Sequence, residues 1–135
     1  MIVVDTNVLA YLLIDGERTA DARALFSLDA DWRSEPFILV EFTNILATAV
    51  RVHGLAPTAA ATLLSSAERV VRIGTHAVAH HTALEIARRY SVSAYDARFL
   101  AVAVQVGARL VTEDARLRRA APDMTWSLAE ALIDA

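Results

Sequence analysis

The chain begins MIVVDTNVLAYLL and, some hundred residues on, returns to the same plan in ARLVTEDARLRRAA. In each stretch a short aliphatic run is followed at once by acid and hydroxyl residues, and then by apolar residues at helical spacing. Runs this short and this uniformly apolar read as strands covered on both faces, the habit of parallel sheets. Parallel neighbours need crossover connections, and the intervening sequence is rich in helical patterns that can supply them. This narrows the choice to an α/β sandwich around a short, mostly parallel sheet, and the length suits one domain over residues 1–135.

The elements can be placed along the chain. A strand at Ile2–Val4 leads to a helix over residues 7–14, broken by Asp15 and Gly16. A second helix is expected from about Arg18 to Leu28, with an extended piece at residues 32–34. Pro36 opens an apolar helix that reaches about Val52 and stops at Gly54, and Pro57 starts an alanine-rich helix to about Arg69. Residues 70–73 have strand character, and residues 75–90 read as helix. Ser93 can cap a helix that ends at Gly107. A strand at residues 108–111, a last strand at 124–126 and a terminal helix capped by Ser127 complete the list.

Composition removes several chemistries. Cysteine is absent, which excludes disulfides, thiolate metal sites and thiol nucleophiles. All 13 basic residues are arginine, so no reaction that needs a lysine amine is open to this chain. A net charge of −3 argues against broad adhesion to nucleic acid, while leaving room for a local basic rim. The apolar run at residues 8–14 is far shorter than the roughly 20 residues of a spanning helix, and Asp5 precedes it where a signal peptide would be basic. A soluble, cytoplasmic protein with no membrane association is expected.

Four acids stand in unusual places. Glu41 has Phe37, Ile38, Asn44 and Ile45 at helical distance, and Asp96 has Val92, Ser93, Phe99 and Leu100, so both carboxylates lie on largely apolar faces. Asp5 and Asp114 follow strands. Each has an ordinary structural account: Asp5 can cap the first helix, Asp96 completes a capping box with Ser93, Asp114 can pair with Arg118, and Glu41 can reach solvent from a helix edge. Together they suggest more, because ligands of open α/β sheets gather outside the carboxyl ends of parallel strands. Carboxylates about 5 Å apart repel by roughly 3 kcal/mol at an effective dielectric near 20, and a divalent cation reverses that sign. An all-oxygen set suits Mg²⁺ or Mn²⁺ better than zinc.

Other phosphoryl chemistries with acids at strand ends fit less well. A haloacid dehalogenase phosphatase needs an aspartate where this chain has Asn7, and also a lysine; a response-regulator receiver needs a lysine; and no GK[ST] signature occurs. The pieces VVDTNVLAYLL, PFILVEFTNIL and YDARFLAVAVQVGARLVTEDARL, in this order and spacing, resemble the PIN-domain ribonucleases, and among them the VapC-type toxins of toxin–antitoxin pairs. The resemblance covers nearly the whole chain. It implies a PIN-like three-layer α/β/α sandwich, and an acidic site of Asp5, Glu41, Asp96 and Asp114 that binds Mg²⁺ or Mn²⁺. Thr112 would be its supporting hydroxyl, with Thr6 and Asn7 beside Asp5 and Asn44 one turn after Glu41. It further implies hydrolysis of RNA to 5′-phosphate and 3′-hydroxyl ends, a homodimer, and a small cognate antitoxin as partner. A non-catalytic binding module of this fold, or another metal-dependent nuclease or phosphatase, remains as the alternative.

Other features have simpler accounts. His76 and His80 have the i, i+4 spacing of zinc ligands if residues 75–90 are helical, and His81 follows, but no further ligand accompanies them and a solvated face is expected. Arg88 with Arg89, and Arg116 with Arg118 and Arg119, can flank an acidic cleft; Arg116 is the expected RNA contact because it is nearest the acid-bearing turn. Ala22, Leu25 and Phe26 either pack in the core or dock a partner.

Overall fold

A computed structural model describes residues 1–74 and 76–134. Five strands form one sheet in the order β3-β2-β1-β4-β5: β1 (Ile2–Val4), β2 (Trp32–Arg33), β3 (Val71–Arg72), β4 (Leu110–Val111) and β5 (Thr125–Trp126). Every neighbouring pair is parallel, so the sheet is wholly rather than mostly parallel. The central strand β1 is buried throughout, as its unbroken aliphatic run requires. Among the described residues there are eight helices: α1 (Thr6–Leu13), α2 (Thr19–Leu28), α3 (Phe37–Val52), α4 (Pro57–Val70), α5 (His80–Tyr90), α6 (Ala94–Val106), α7 (Ala115–Ala120) and α8 (Leu128–Asp134). They cover the sheet to give the three-layer α/β/α sandwich, with α6 packed on β1 and β4, α5 on α6, α1 against α2, α3 and α4, and α8 against α2.

Local signals set most boundaries. Pro57 opens α4, where its missing N–H costs nothing. Gly107 ends α6 at φ +68°, a left-handed conformation that a side chain would strain. Ser127 and Glu130 form a reciprocal capping box at the start of α8, each accepting the other's backbone N–H at 3.1 Å. The core is continuous across the layers, from Trp32, Ile38 and Phe42 through Val3, Val4 and Leu9 to Phe99, Leu110 and Leu117. No described helix is long and apolar enough to cross a membrane.

One expectation needs correction. The helix expected over residues 75–90 starts only at His80; Thr75 lies outside the described residues. Val78 explains the delay, since it is buried and both its backbone groups are engaged elsewhere: its N–H donates to Glu35 Oε1 at 3.1 Å and its carbonyl accepts from Arg98 at 2.9 Å. His76 and His80 therefore do not share a helical face, and the zinc spacing has no structural basis. Of the two accounts open for α2, core packing holds for Ala22 and Leu25, which are fully buried, while Phe26 is half-buried and sits edge-on to Trp32 with centroids 5.4 Å apart.

Candidate active site

Strands β1 and β4 run side by side in register Val4 to Val111, which brings the residues just beyond them together. Asp5 is the N-cap of α1, with Oδ1 accepting the Val8 N–H at 3.1 Å. Its Oδ2 accepts the hydroxyl of the fully buried Thr112 at 2.5 Å. The Thr112 hydroxyl in turn accepts the Asp114 N–H at 3.1 Å. Asp114 caps α7 rather than pairing with Arg118: its Oδ1 takes the N–H groups of Arg116 at 2.9 Å and Leu117 at 3.2 Å. The Arg118 guanidinium instead lies 3.9 Å from Glu113.

The other two acids come from helices. Glu41, half-buried in the second turn of α3, accepts the Thr6 hydroxyl at 2.7 Å. Asp96 is in the first turn of α6, where its N–H is capped by Ser93 Oγ at 3.0 Å. All four acids line a single cavity of about 420 Å³ at the carboxyl ends of β1 and β4, with Thr6, Asn7 and Asn44 among them. Phe37, Val40, Ile45 and Phe99 form its apolar wall.

Electrostatics in this cavity disfavour the ionised forms of Asp5 and Asp96. Burial pushes the Asp5 carboxyl up to about 6, against the hydrogen bonds from Thr112 and Val8, and the charges of Asp96 and Asp114 add to the rise. Asp96 is raised as well, chiefly by burial, with Asp114 adding and with Ser93 and Arg116 opposing. Among the described residues no arginine forms an ion pair with any of the four. A set of carboxylates held together without a countercharge fits a hard divalent cation. As the side chains stand, no three acids among the described residues close around a single point.

A second cavity, of about 200 Å³, shares Asp96 and Asp114 with the first and adds Ser93 and Arg116. Arg116 is thus at the edge of the site. Arg88 is not: it is paired with Glu85 at 2.6 Å, and Arg89 lies over the Tyr90 ring. Neither lines either cavity. The most spacious cavity, about 900 Å³, opens at the opposite, amino end of the strands around Met1, Leu28, Val104 and Trp126, and contains none of the four acids.

Sequence reasoning missed Glu35 and Arg98. Glu35 is buried, and accepts the Phe37 N–H at 2.6 Å and the Val78 N–H at 3.1 Å while lying 3.3 Å from the Arg98 guanidinium. Arg98 also reaches His80 Nδ1 at 2.7 Å. The pair ties the start of α3 to the first turns of α6, the two segments that carry Glu41 and Asp96. A glutamate just before the helix-opening Pro36, and an arginine two residues after Asp96, were visible; their partnership across 63 positions was not.

Comparison with known proteins agrees with this fold. A profile described as the PIN domain matches residues 2–122. The crystal structure of PAE2754 from Pyrobaculum aerophilum superposes with a TM-score of 0.78 at 19% identity, over 98% of this chain and 93% of that one. A search of curated protein sequences returns no match.

Proposed function

We propose, starting from the fact that this chain belongs to the PIN-domain family, that it is a Mg²⁺- or Mn²⁺-dependent endoribonuclease and the toxin of a toxin–antitoxin pair. The observation that carries the reading is the convergence of Asp5, Glu41, Asp96 and Asp114 on one cavity, with no arginine among the described residues paired to any of them. PIN domains are generally nucleases, and four acids gathered on one cavity support that reading for this chain.

In this reading Asp5, Asp96 and Asp114 hold the cation, directly or through water. Glu41, steadied by Thr6, orients the attacking water. A bound divalent cation would lower the pKa of that water and offset the charge that grows on the phosphate. Thr112 fixes the Asp5 carboxylate, Arg116 meets a neighbouring phosphate, and Asn44 offers an amide to the substrate at the cavity wall.

The test offers the purified chain RNA, single-stranded DNA and a simple phosphate ester, with Mg²⁺, with Mn²⁺ and with EDTA. Cleavage of RNA alone, only with metal and leaving 5′-phosphate ends, is expected, and Asp96→Asn should reduce it to background while the circular dichroism spectrum is retained. Undiminished cleavage by that variant, or cleavage in EDTA, refutes the assignment; hydrolysis of the ester or of DNA instead moves it to another metal-dependent hydrolase. For the toxin role, inducing the wild-type chain should arrest growth where Asp96→Asn does not. Co-expression of a short neighbouring open reading frame should relieve the arrest, and light scattering should show a homodimer.

A further inference from the structure

One feature of the cavity is not explained by metal binding. Phe37, on the cavity wall, stacks on Tyr95, with ring centroids 5.3 Å apart and planes 11° from parallel. Helical spacing keeps this pair beside the acids: Phe37 is one turn before Glu41 on α3, and Tyr95 is one turn before Phe99 on α6, while Phe37, Glu41 and Phe99 all line the cavity. Tyr95 is also the residue next to Asp96. Its side chain is 60% exposed, an unusual state for a large aromatic ring already held by a stacking partner. Burying the ring against Phe37 alone leaves most of its surface to water, so hydrophobic burial is a poor account of its placement.

We propose that the Tyr95–Phe37 stack is a platform for an unpaired nucleobase adjoining the cleaved phosphate. This deepens the ribonuclease reading and rests on it. A preformed flat ring, one helical turn from the groups that would engage the phosphate, suits a nucleotide whose phosphate lies over the acids and whose base stacks on the aromatic pair. Asn44 on the cavity wall supplies the donor and acceptor pair that reads a base or ribose edge. The substrate segment bound there is single-stranded, because a base within a duplex does not present its face.

The experiment measures cleavage kinetics of the wild-type chain, Tyr95→Ala, Tyr95→Phe and Tyr95→Trp on a single-stranded oligoribonucleotide, alongside a series in which one nucleotide at a time is made abasic. Tyr95→Ala should raise KM about 5- to 100-fold with little change in kcat, whereas Phe and Trp should retain the wild-type KM. In the wild type a single abasic position next to the cleaved bond should raise KM by a similar factor, and in Tyr95→Ala that position should no longer matter. An unchanged KM for Tyr95→Ala, or equal sensitivity to the abasic position in both proteins, overturns the platform while leaving the nuclease standing. A wild-type chain that cleaves no RNA overturns both. Loss of helical signal in Tyr95→Ala shifts the decision to Tyr95→Phe and the wild-type abasic series, where a flat series overturns the proposal.

Discussion

Replacing Asp5 with asparagine should make the metal-free protein more stable at neutral pH while removing its response to metal. In the unfolded chain an aspartate titrates near 3.8, and in the fold Asp5 is pushed up to about 6. The folded state therefore holds the proton more tightly. Stability contributed by Asp5 is complete below pH 3.8 and is lost as pH rises through 6. At about 1.4 kcal/mol per pH unit, the gap between those values amounts to about 3 kcal/mol of penalty carried by the ionised carboxylate at pH 8. Asparagine has nearly the same shape: its Oδ1 can accept from Val8, and its Nδ2 can donate to a reoriented Thr112 hydroxyl. Allowing about 1 kcal/mol for the weaker hydrogen bonds of a neutral amide, Asp5→Asn should gain about 2 kcal/mol at pH 8 in EDTA, or about 7 °C in Tm for a domain of this length. Near pH 4 the two proteins should be equally stable or the variant slightly less so. Asp96 is raised in the same direction and keeps a slope of the same sign in the variant, so the quantity to measure is the difference between the two proteins. Mg²⁺ at about 100 times its Kd should stabilise the wild type by about 2.7 kcal/mol and leave the variant nearly unmoved. Denaturant melts between pH 4 and 8, in EDTA and in Mg²⁺, provide the numbers. A variant less stable than wild type at pH 8 in EDTA, or a difference independent of pH, would show that burial does not penalise this carboxylate.

Thr112→Val deletes the hydroxyl that holds Asp5 Oδ2, and should raise the Asp5 pKa further; the acid limb of the pH–rate profile should move to higher pH, and metal-free stability at pH 8 should fall by about 1–3 kcal/mol. Arg98→Met strands Glu35 in a buried site and should cost about 3–5 kcal/mol in denaturant melts, whereas the pair Glu35→Gln with Arg98→Met should recover part of that loss, because the buried charge is gone although the single amide oxygen can accept from only one of the Phe37 and Val78 N–H groups.

What could be read from the sequence depended on the range of the interaction. The order of strands and helices came from patterns within ten or so residues: the aliphatic run of β1, Pro57 at the start of α4, Gly107 at the end of α6. Those are local physical preferences, and they hold in the structure to within a residue or two. The start of α5 was illegible for the opposite reason. Val78 is held on both its backbone groups by Glu35 and Arg98, which are distant in sequence, and these tertiary bonds outweigh local helical preference. The same limit hid the role of Thr6, whose hydroxyl reaches Glu41 from 35 positions away. Ala22, Leu25 and Phe26 were ambiguous because an apolar face looks alike whether it meets the core or a partner.

The acids present a subtler case, because structural and chemical accounts that looked like rivals in the sequence are compatible in space. Asp5 does cap α1, Asp114 does cap α7, and Ser93 does cap α6 beside Asp96. In both aspartate caps Oδ1 serves the helix. The second oxygen of Asp5 accepts only from Thr112, and that of Asp114 lies outside the cap, so neither is consumed by secondary structure. A carboxylate with one oxygen anchored to backbone N–H groups has little rotamer freedom left, and the entropy of ordering it for a cation is spent when the helix forms rather than when the ion binds. Glu41 has a longer side chain and no cap to hold it, and the Thr6 hydroxyl steadies it as Thr112 steadies Asp5. Capping is therefore a means by which this fold stiffens an acidic site, and helix starts placed directly after β1 and β4 put that stiffness at the carboxyl edge of the sheet.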